Sequence, residues 1–251
     1  MQAVHAGPLT GLVAVLAVLL ALATTGGLAM GGWLVGLGCG VVLAVALAGA
    51  LTRSDSDRLG PADWVTLGRA TLAAGVAALT ADAFARHISV PSLVGLATAA
   101  LVLDAVDGWV ARRTATASLL GARLDMEVDA FLILVLSVFV ARTAGWWVLA
   151  IGAARYAFLA AGWALPWLPG PLPARFWRKV VAATQGVALT TAAAGVLPTT
   201  LTYAVLAASL GLLAESFGRD VQTRWWHHRA ASTARVVPSL PSSAVGGAHD
   251  A

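Results

Sequence analysis

The fold of this chain is decided by Asp104-Ala-Val-Asp-Gly-Trp-Val-Ala-Arg112 and Gly121-Ala-Arg-Leu-Asp-Met-Glu-Val-Asp129, which we call the first and second acidic segments. They stand in a sequence of 251 residues that is 59% hydrophobic and only 11% charged. A composition this apolar predicts a membrane protein of several helices rather than a soluble domain. Because a carboxylate is costly to place inside a membrane, acids kept there mark the functional site.

Both segments place their acids on one face of a helix. Side chains three, four or seven positions apart lie within a narrow arc at about 100° per residue. In the first segment these separations place Asp104 and Asp107 on the same face as a glycine and an alanine. In the second segment they place Asp125 and Asp129 on the same face as a glycine. The short connection, residues 113–118, favours an antiparallel helix pair. Each acid pair then lies roughly 13 to 20 Å from the connection, so we expect four carboxylates to meet at one depth.

A cluster of carboxylates in a poorly solvated place needs a compensating positive charge. A divalent ion is the usual solution, and ligation by oxygen alone favours Mg²⁺, Mn²⁺ or Ca²⁺ over zinc. One alternative is a set of buried salt bridges to Arg112, Arg113 and Arg123, although these would not explain the glycines. A second alternative is a coupling-ion site in a cation transporter.

Taken together, the two segments resemble the signature D-x-x-D-G-x-x-A-R-x8-G-x3-D-x3-D of the CDP-alcohol phosphatidyltransferases, with every fixed position and both spacers matching. The resemblance implies an all-α, polytopic membrane helix bundle with a six-helix core. It also implies a homodimeric transferase of phospholipid biosynthesis that holds two Mg²⁺ or Mn²⁺ ions. Its first substrate would be a CDP-linked lipid (CDP-diacylglycerol), and its second would be an alcohol acceptor whose oxygen displaces CMP. A membrane prenyltransferase is an alternative that also combines Asp-rich helices with Mg²⁺, but its acidic motifs are spaced differently.

The same resemblance assigns roles to the matching positions. The implied metal ligands are Asp104, Asp107, Asp125 and Asp129. Asp129 would also take the proton from the acceptor hydroxyl. The implied lining of the cytidine-diphosphate pocket is Gly108, Ala111, Arg112 and Gly121.

A weaker match stands at the start of the core, where Pro61 to Arg69 resembles the P-N-x-x-T-x-x-R opening of many family members. An alanine or an aspartate stands where asparagine is common. Thr66 and Arg69 are close to one turn apart and could both face the nucleotide, and Thr66 is our candidate for that contact. Alternatively, Thr66 bonds to its own helix and Arg69 snorkels toward the membrane surface.

Four basic residues late in the core are candidates for contact with the acceptor. They are Arg155, Arg175, Arg178 and Lys179. In the family such contacts come from Arg or Lys in this region, and they favour a phosphorylated acceptor. Alternatively, the loop cluster among them only follows the positive-inside rule. The acids serve every acceptor alike, so glycerol 3-phosphate, inositol phosphate, serine and another lipid all stay open.

The ends of the chain differ in composition from the core. Residues 1–52 contain no Asp, Glu, Lys or Arg and are long enough for two extra transmembrane helices. Gly32, Gly36 and Gly40 form a small-residue ridge in the second of them, which serves either packing within the chain or dimerisation. Residues 53–218 hold the six core helices. Residues 219–251 form a basic, aromatic tail that we expect to anchor at the membrane surface and to become disordered from about Val237.

The orientation follows from the positive-inside rule. If the connection between the acidic segments is cytoplasmic, nearly all basic residues outside the helices fall on that side. We therefore expect a multi-pass protein of the cell (inner) membrane, with its acid site near the cytoplasmic face and both termini inside. The net charge of +4 then indicates contact with anionic lipid rather than with nucleic acid.

Overall fold

The computed structural model describes residues 6–51, 60–114, 119–164 and 176–234. Within these ranges it describes the backbone but not the side chains of residues 6, 50–51, 61–62, 107–114, 119–120, 122–123, 164, 176, 178, 220, 224 and 226–234. The helices in these ranges are α1 (Ala6–Gly26), α2 (Met30–Leu51), α3 (Pro61–Asp82), α4 (Val90–Thr114), α5 (Leu119–Ala144), α6 (Leu149–Ala164), α7 (Phe176–Ala194) and α8 (Thr199–Ala234). A single 3₁₀ turn, Trp146–Val148, precedes α6. The predicted all-α bundle, with two helices ahead of a six-helix core, is confirmed.

Several helices have the length and composition of membrane spans. Among the described residues, the stretches that qualify are Gly7–Gly26, Met30–Gly49, Asp63–Asp82 and Thr199–Thr223. The helices α4 to α7 are shorter or carry charged residues. Four apolar stretches of spanning length indicate a multi-pass membrane protein. That all eight helices cross the membrane stays a prediction.

The last helix is longer than the predicted span. We expected that span to end near Gly218, whereas α8 continues to Ala234. No Gly or Pro occurs from 219 to 234, so no residue there interrupts the helical hydrogen bonds. Its 36 residues are about 54 Å long, well beyond the ~30 Å hydrocarbon core of a bilayer. The first part of the basic tail therefore continues α8, while the disorder expected from Val237 lies outside the described residues.

The helix α3 lies at the centre of the bundle. It packs against α1, α2, α4 and α5. In the apolar stretch of α3, 67% of the residues are buried, compared with 22% in those of α1, α2 and α8. A Cβ at Gly75 would lie 2.9 Å from Val18 and 3.1 Å from Leu96, and small residues of this kind let neighbouring helices approach closely. Most side chains that α3 carries in its middle are therefore surrounded by other helices.

The first two helices form a hairpin that packs on α3. Gly27 makes the turn with a φ of +70°, a left-handed conformation that glycine adopts without strain. A Cβ at Gly36 would lie 2.5 Å from Leu19, and one at Gly40 would lie 3.2 Å from Val15. The glycine ridge of α2 therefore serves packing within the chain: Gly36 and Gly40 pack against α1, and Gly32 packs against Asp82 at the end of α3.

An ion pair at the end of α3, between buried Asp82 and partly exposed Arg86, fastens this hairpin to the core. Asp82 is 1% exposed and accepts hydrogen bonds from the backbone amides of Ala29 (2.7 Å) and Gly32 (2.6 Å) at the start of α2. Arg86 pairs with Asp82 at 3.0 Å and donates to two backbone carbonyl oxygens at the end of α1. One acid and one base of the core thus cap both helix ends at the hairpin turn, where backbone groups lack helical partners.

Candidate functional site

Three aspartates from two helices meet beside α3. Asp104 comes from α4, and Asp125 and Asp129 come from α5; these helices are separated only by residues 115–118, and both pack against α3. We call these three side chains the acid cluster. One carboxylate oxygen of each lies within 4.8 Å of the other two. The fourth acid of the signature, Asp107, has its side chain outside the described residues.

The acid cluster is partly accessible. The side chains of Asp104, Asp125 and Asp129 are 39%, 35% and 30% exposed. Asp125 and Asp129 share a face of α5 because they are four positions apart, and half-buried Gly121 precedes them by one further turn on that face. The cluster is therefore open on one side to a ligand.

The cation that faces the acid cluster is Arg69 of α3, whose side chain is completely buried. Its Nη1 pairs with Asp104 at 3.0 Å and with Asp125, and its Nη2 pairs with Asp129. Its Nε donates a hydrogen bond to the carbonyl oxygen of Ala100 on α4, at 3.3 Å. A single guanidinium thus contacts three carboxylates and one backbone carbonyl from two neighbouring helices.

Sequence reasoning missed this contact. The snorkelling alternative for Arg69 is wrong, because its side chain has no exposure. Thr66, nearly one turn earlier on α3, is also buried, at 4% exposure. A signal was available in the sequence, since an arginine inside an apolar helix needs acidic partners and the acidic segments supply them. Which face of α3 meets those segments depends on how the helices pack.

The other nucleotide-pocket candidates lie on the helices of the acid cluster. Gly108, Ala111 and Arg112 belong to the C-terminal part of α4, where only the backbone is described. Their side chains, and those of Arg113 and Arg123 in the salt-bridge alternative, lie outside the described residues. Their assigned roles therefore stay predictions.

The acceptor candidates are more dispersed. Arg155 of α6 pairs with Glu127 of α5, an acid outside the cluster, and its buried Nε has no hydrogen-bond partner among the described atoms. Lys179 is exposed in the first turn of α7. Arg178 belongs to the same turn with only its backbone described, and Arg175 lies outside the described residues. Among these four, Arg155 therefore has a described ion-pair partner.

The residues of the acid cluster fit a hard divalent cation. Three carboxylates opposed by one guanidinium carry a net charge of −2. Carboxylate oxygens are ligands that Mg²⁺ and Mn²⁺ prefer, and the described cluster contains no sulfur or imidazole that would favour zinc. The pairing with Arg69 is a salt bridge, although Arg69 is not one of the three arginines of the salt-bridge alternative, and it leaves most of the negative charge uncompensated.

A comparison with family models agrees with this geometry. The model described as CDP-alcohol phosphatidyltransferase matches residues 59–214, more than half of the chain. The chain belongs to this family. The matched region contains the acid cluster and Arg69 and leaves out α1 and α2. Membership identifies a transferase that uses a CDP-linked alcohol, in a family that typically requires a divalent metal. No curated protein and no solved structure matched the chain.

Proposed function

We propose that this protein transfers a phosphatidyl group from CDP-diacylglycerol to an alcohol and releases CMP, as a step of phospholipid biosynthesis. The observation that supports it is the convergence of Asp104, Asp125 and Asp129, from the two segments that match the family signature, into one partly open cluster. The proposed location is the cell (inner) membrane, with the cluster near the cytoplasmic face, where CDP-linked substrates are available. The proposed assembly is a homodimer.

Two Mg²⁺ or Mn²⁺ ions are the proposed cofactors. Their ligands would be the acid cluster and Asp107, the next acid on the same face of α4. When bound, such ions neutralise the diphosphate of the donor and stabilise the leaving phosphate. The small residues Gly108, Ala111 and Gly121 leave room beside the carboxylates for the cytidine nucleotide, with Arg112 and Thr66 as its polar contacts.

The reaction breaks one phosphorus–oxygen bond and forms another. The acceptor oxygen bonds to the phosphorus atom that carries the lipid, and the bond from that phosphorus to the CMP oxygen breaks. The proton of the acceptor hydroxyl passes to the carboxylate of Asp129, which acts as general base. Asp129 suits this role because it is the least exposed member of the cluster, so bulk water competes least for its oxygens.

The acceptor is proposed to carry a phosphate. Arg155 supports this proposal, because its Nε is buried without a hydrogen-bond partner among the described atoms and so retains a donor for an anion. Lys179, Arg178 and Arg175, at the start of α7 and just before it, are the other proposed contacts. Arginine binds phosphate in a forked, charge-assisted geometry, which distinguishes a phosphorylated acceptor from a neutral alcohol.

The test is release of CMP by the purified full chain. The protein is supplied with CDP-diacylglycerol, Mg²⁺ or Mn²⁺, and a panel of free and phosphorylated alcohols. We expect metal-dependent CMP release that increases with one alcohol and is lost in Asp129→Asn. The matched control is Asp63→Asn, the same change at an acid that accepts a hydrogen bond from the backbone amide of Gly60 at the start of α3. Folded protein that neither releases CMP nor binds a cytidine nucleotide would refute the proposal.

A further inference from the structure

Arg69 has no part in the reaction described above, yet it contacts every member of the acid cluster. Its complete burial means that water screens these contacts poorly. The guanidinium therefore reduces the repulsion among the three carboxylates. It also bonds to one carboxylate oxygen of Asp125 and one of Asp129, which leaves fewer oxygens for a metal ion, and its positive charge repels such an ion.

We propose that Arg69 is a positioning residue that serves as the internal counter-cation of the acid cluster. It holds the three carboxylates together and competes with divalent ions for them. This inference rests on the proposed metal site. Its consequence is weak metal binding in the absence of donor, because two divalent ions together with Arg69 outweigh the charge of four aspartates. The negative diphosphate of the donor reverses that excess, so metal and donor bind cooperatively.

The first experiment measures Mn²⁺ binding by electron paramagnetic resonance in the purified full chain without substrate. We expect Arg69→Gln to bind Mn²⁺ at least about tenfold more tightly than the unchanged protein, since even in water a unit charge about 4 Å from a divalent ion has an effect of this size. The matched control is Arg142→Gln, which removes an equal charge from an exposed arginine packed over Phe84 and Phe139. That control should bind Mn²⁺ like the unchanged protein.

A second variant separates charge from shape. Arg69→Lys keeps the positive charge, so its Mn²⁺ affinity should stay within about threefold of the unchanged protein. Its thermal midpoint without metal should fall, because one ammonium group cannot reach three carboxylates as a guanidinium does. A role in packing alone would lower stability in both variants and would tighten Mn²⁺ binding in neither.

The outcomes also separate this inference from the proposed function. If neither the unchanged protein nor Arg69→Gln binds Mn²⁺, with or without CDP-diacylglycerol, the proposed metal site fails and this inference fails with it. If the unchanged protein binds Mn²⁺, Asp125→Asn loses that binding and Arg69→Gln binds no more tightly, only the role of Arg69 is refuted. Tighter binding in Arg69→Gln but not in Arg142→Gln would support it.

A compensated variant keeps the proposal testable if Arg69→Gln alone does not fold. Arg69→Gln combined with Asp104→Asn removes one charge of each sign and restores the net charge of −2; Asp104 is the most exposed member of the cluster. We expect its thermal midpoint without metal to recover at least half of the loss caused by Arg69→Gln, or the protein to fold where the single variant does not. A double variant as unstable as the single one, or less stable, would refute the counter-cation role.

Discussion

Asp82 offers a direct test of how the hairpin of α1 and α2 is held to the core. Its buried carboxylate accepts two backbone hydrogen bonds at the start of α2 and pairs with Arg86. A hydrogen bond to a charged group contributes about 1.5 to 3 kcal/mol, whereas the ion pair adds little because the side chain of Arg86 is 33% exposed and stays in contact with water. Asp82→Ala removes two such bonds, so we expect it to lower the free energy of unfolding by about 3 to 5 kcal/mol.

The matched variant is Asp82→Asn, which keeps a side-chain oxygen of similar shape at a helix start. Because asparagine caps helix N-termini well, Asp82→Asn should lower the free energy of unfolding by only about 1 to 2 kcal/mol. The assay is unfolding of the purified protein with SDS, followed by circular dichroism. CMP release per folded molecule should not change, because Asp82 lies thirteen positions, or about 20 Å, from Arg69 along α3. The capping role would be refuted if the free energy of unfolding of Asp82→Ala were within about 1 kcal/mol of that of the unchanged protein. It would also be refuted if Asp82→Asn were as unstable as Asp82→Ala.

Three further predictions concern the site and its support. Asp125→Asn should lower metal-dependent CMP release at least about a hundredfold, while the circular dichroism spectrum stays helical. Arg155→Gln should raise KM for a phosphorylated acceptor about tenfold or more without an equal change for CDP-diacylglycerol, and the prediction fails if Glu127→Gln raises KM as much. Gln185 donates a hydrogen bond to the carbonyl oxygen of Ser209 at 2.8 Å and accepts one from the Ser209 hydroxyl at 2.6 Å, and both bonds are buried. Gln185→Leu should therefore lower the free energy of unfolding, measured with SDS, by about 1 to 3 kcal/mol. An unchanged unfolding midpoint would contradict this.

Local patterns predicted the helices well because they depend on short-range chemistry. Uninterrupted apolar stretches identified α1 and α2, and the polar or proline-containing breaks between spans matched most helix ends. The exception is the end of α8, where the change from apolar to basic residues predicts the end of the span, but the helix continues because no helix-breaking residue follows. A change in polarity ends a membrane span, but it does not end a helix.

The roles of several residues needed more than local patterns. The sequence left the glycine ridge of α2 between two uses, and only the packing of Gly36 against Leu19 showed which helix covers it. The sequence does not reveal the importance of Asp82 and Arg86, because they bond to backbone groups 50 to 60 positions earlier in the chain. Backbone groups carry no sequence signature, so such contacts are invisible until the helices are placed.

The amino-acid sequence was enough to predict a multi-pass helical membrane protein, its family, and the faces of α4 and α5 on which the acids lie. It could do so because apolar length and helical spacing act within one segment of chain. Only the tertiary structure decided that Arg69 enters the acid cluster. Three carboxylates and one guanidinium from three helices meet through the packing of α3 against α4 and α5, and no spacing along a single helix specifies that meeting.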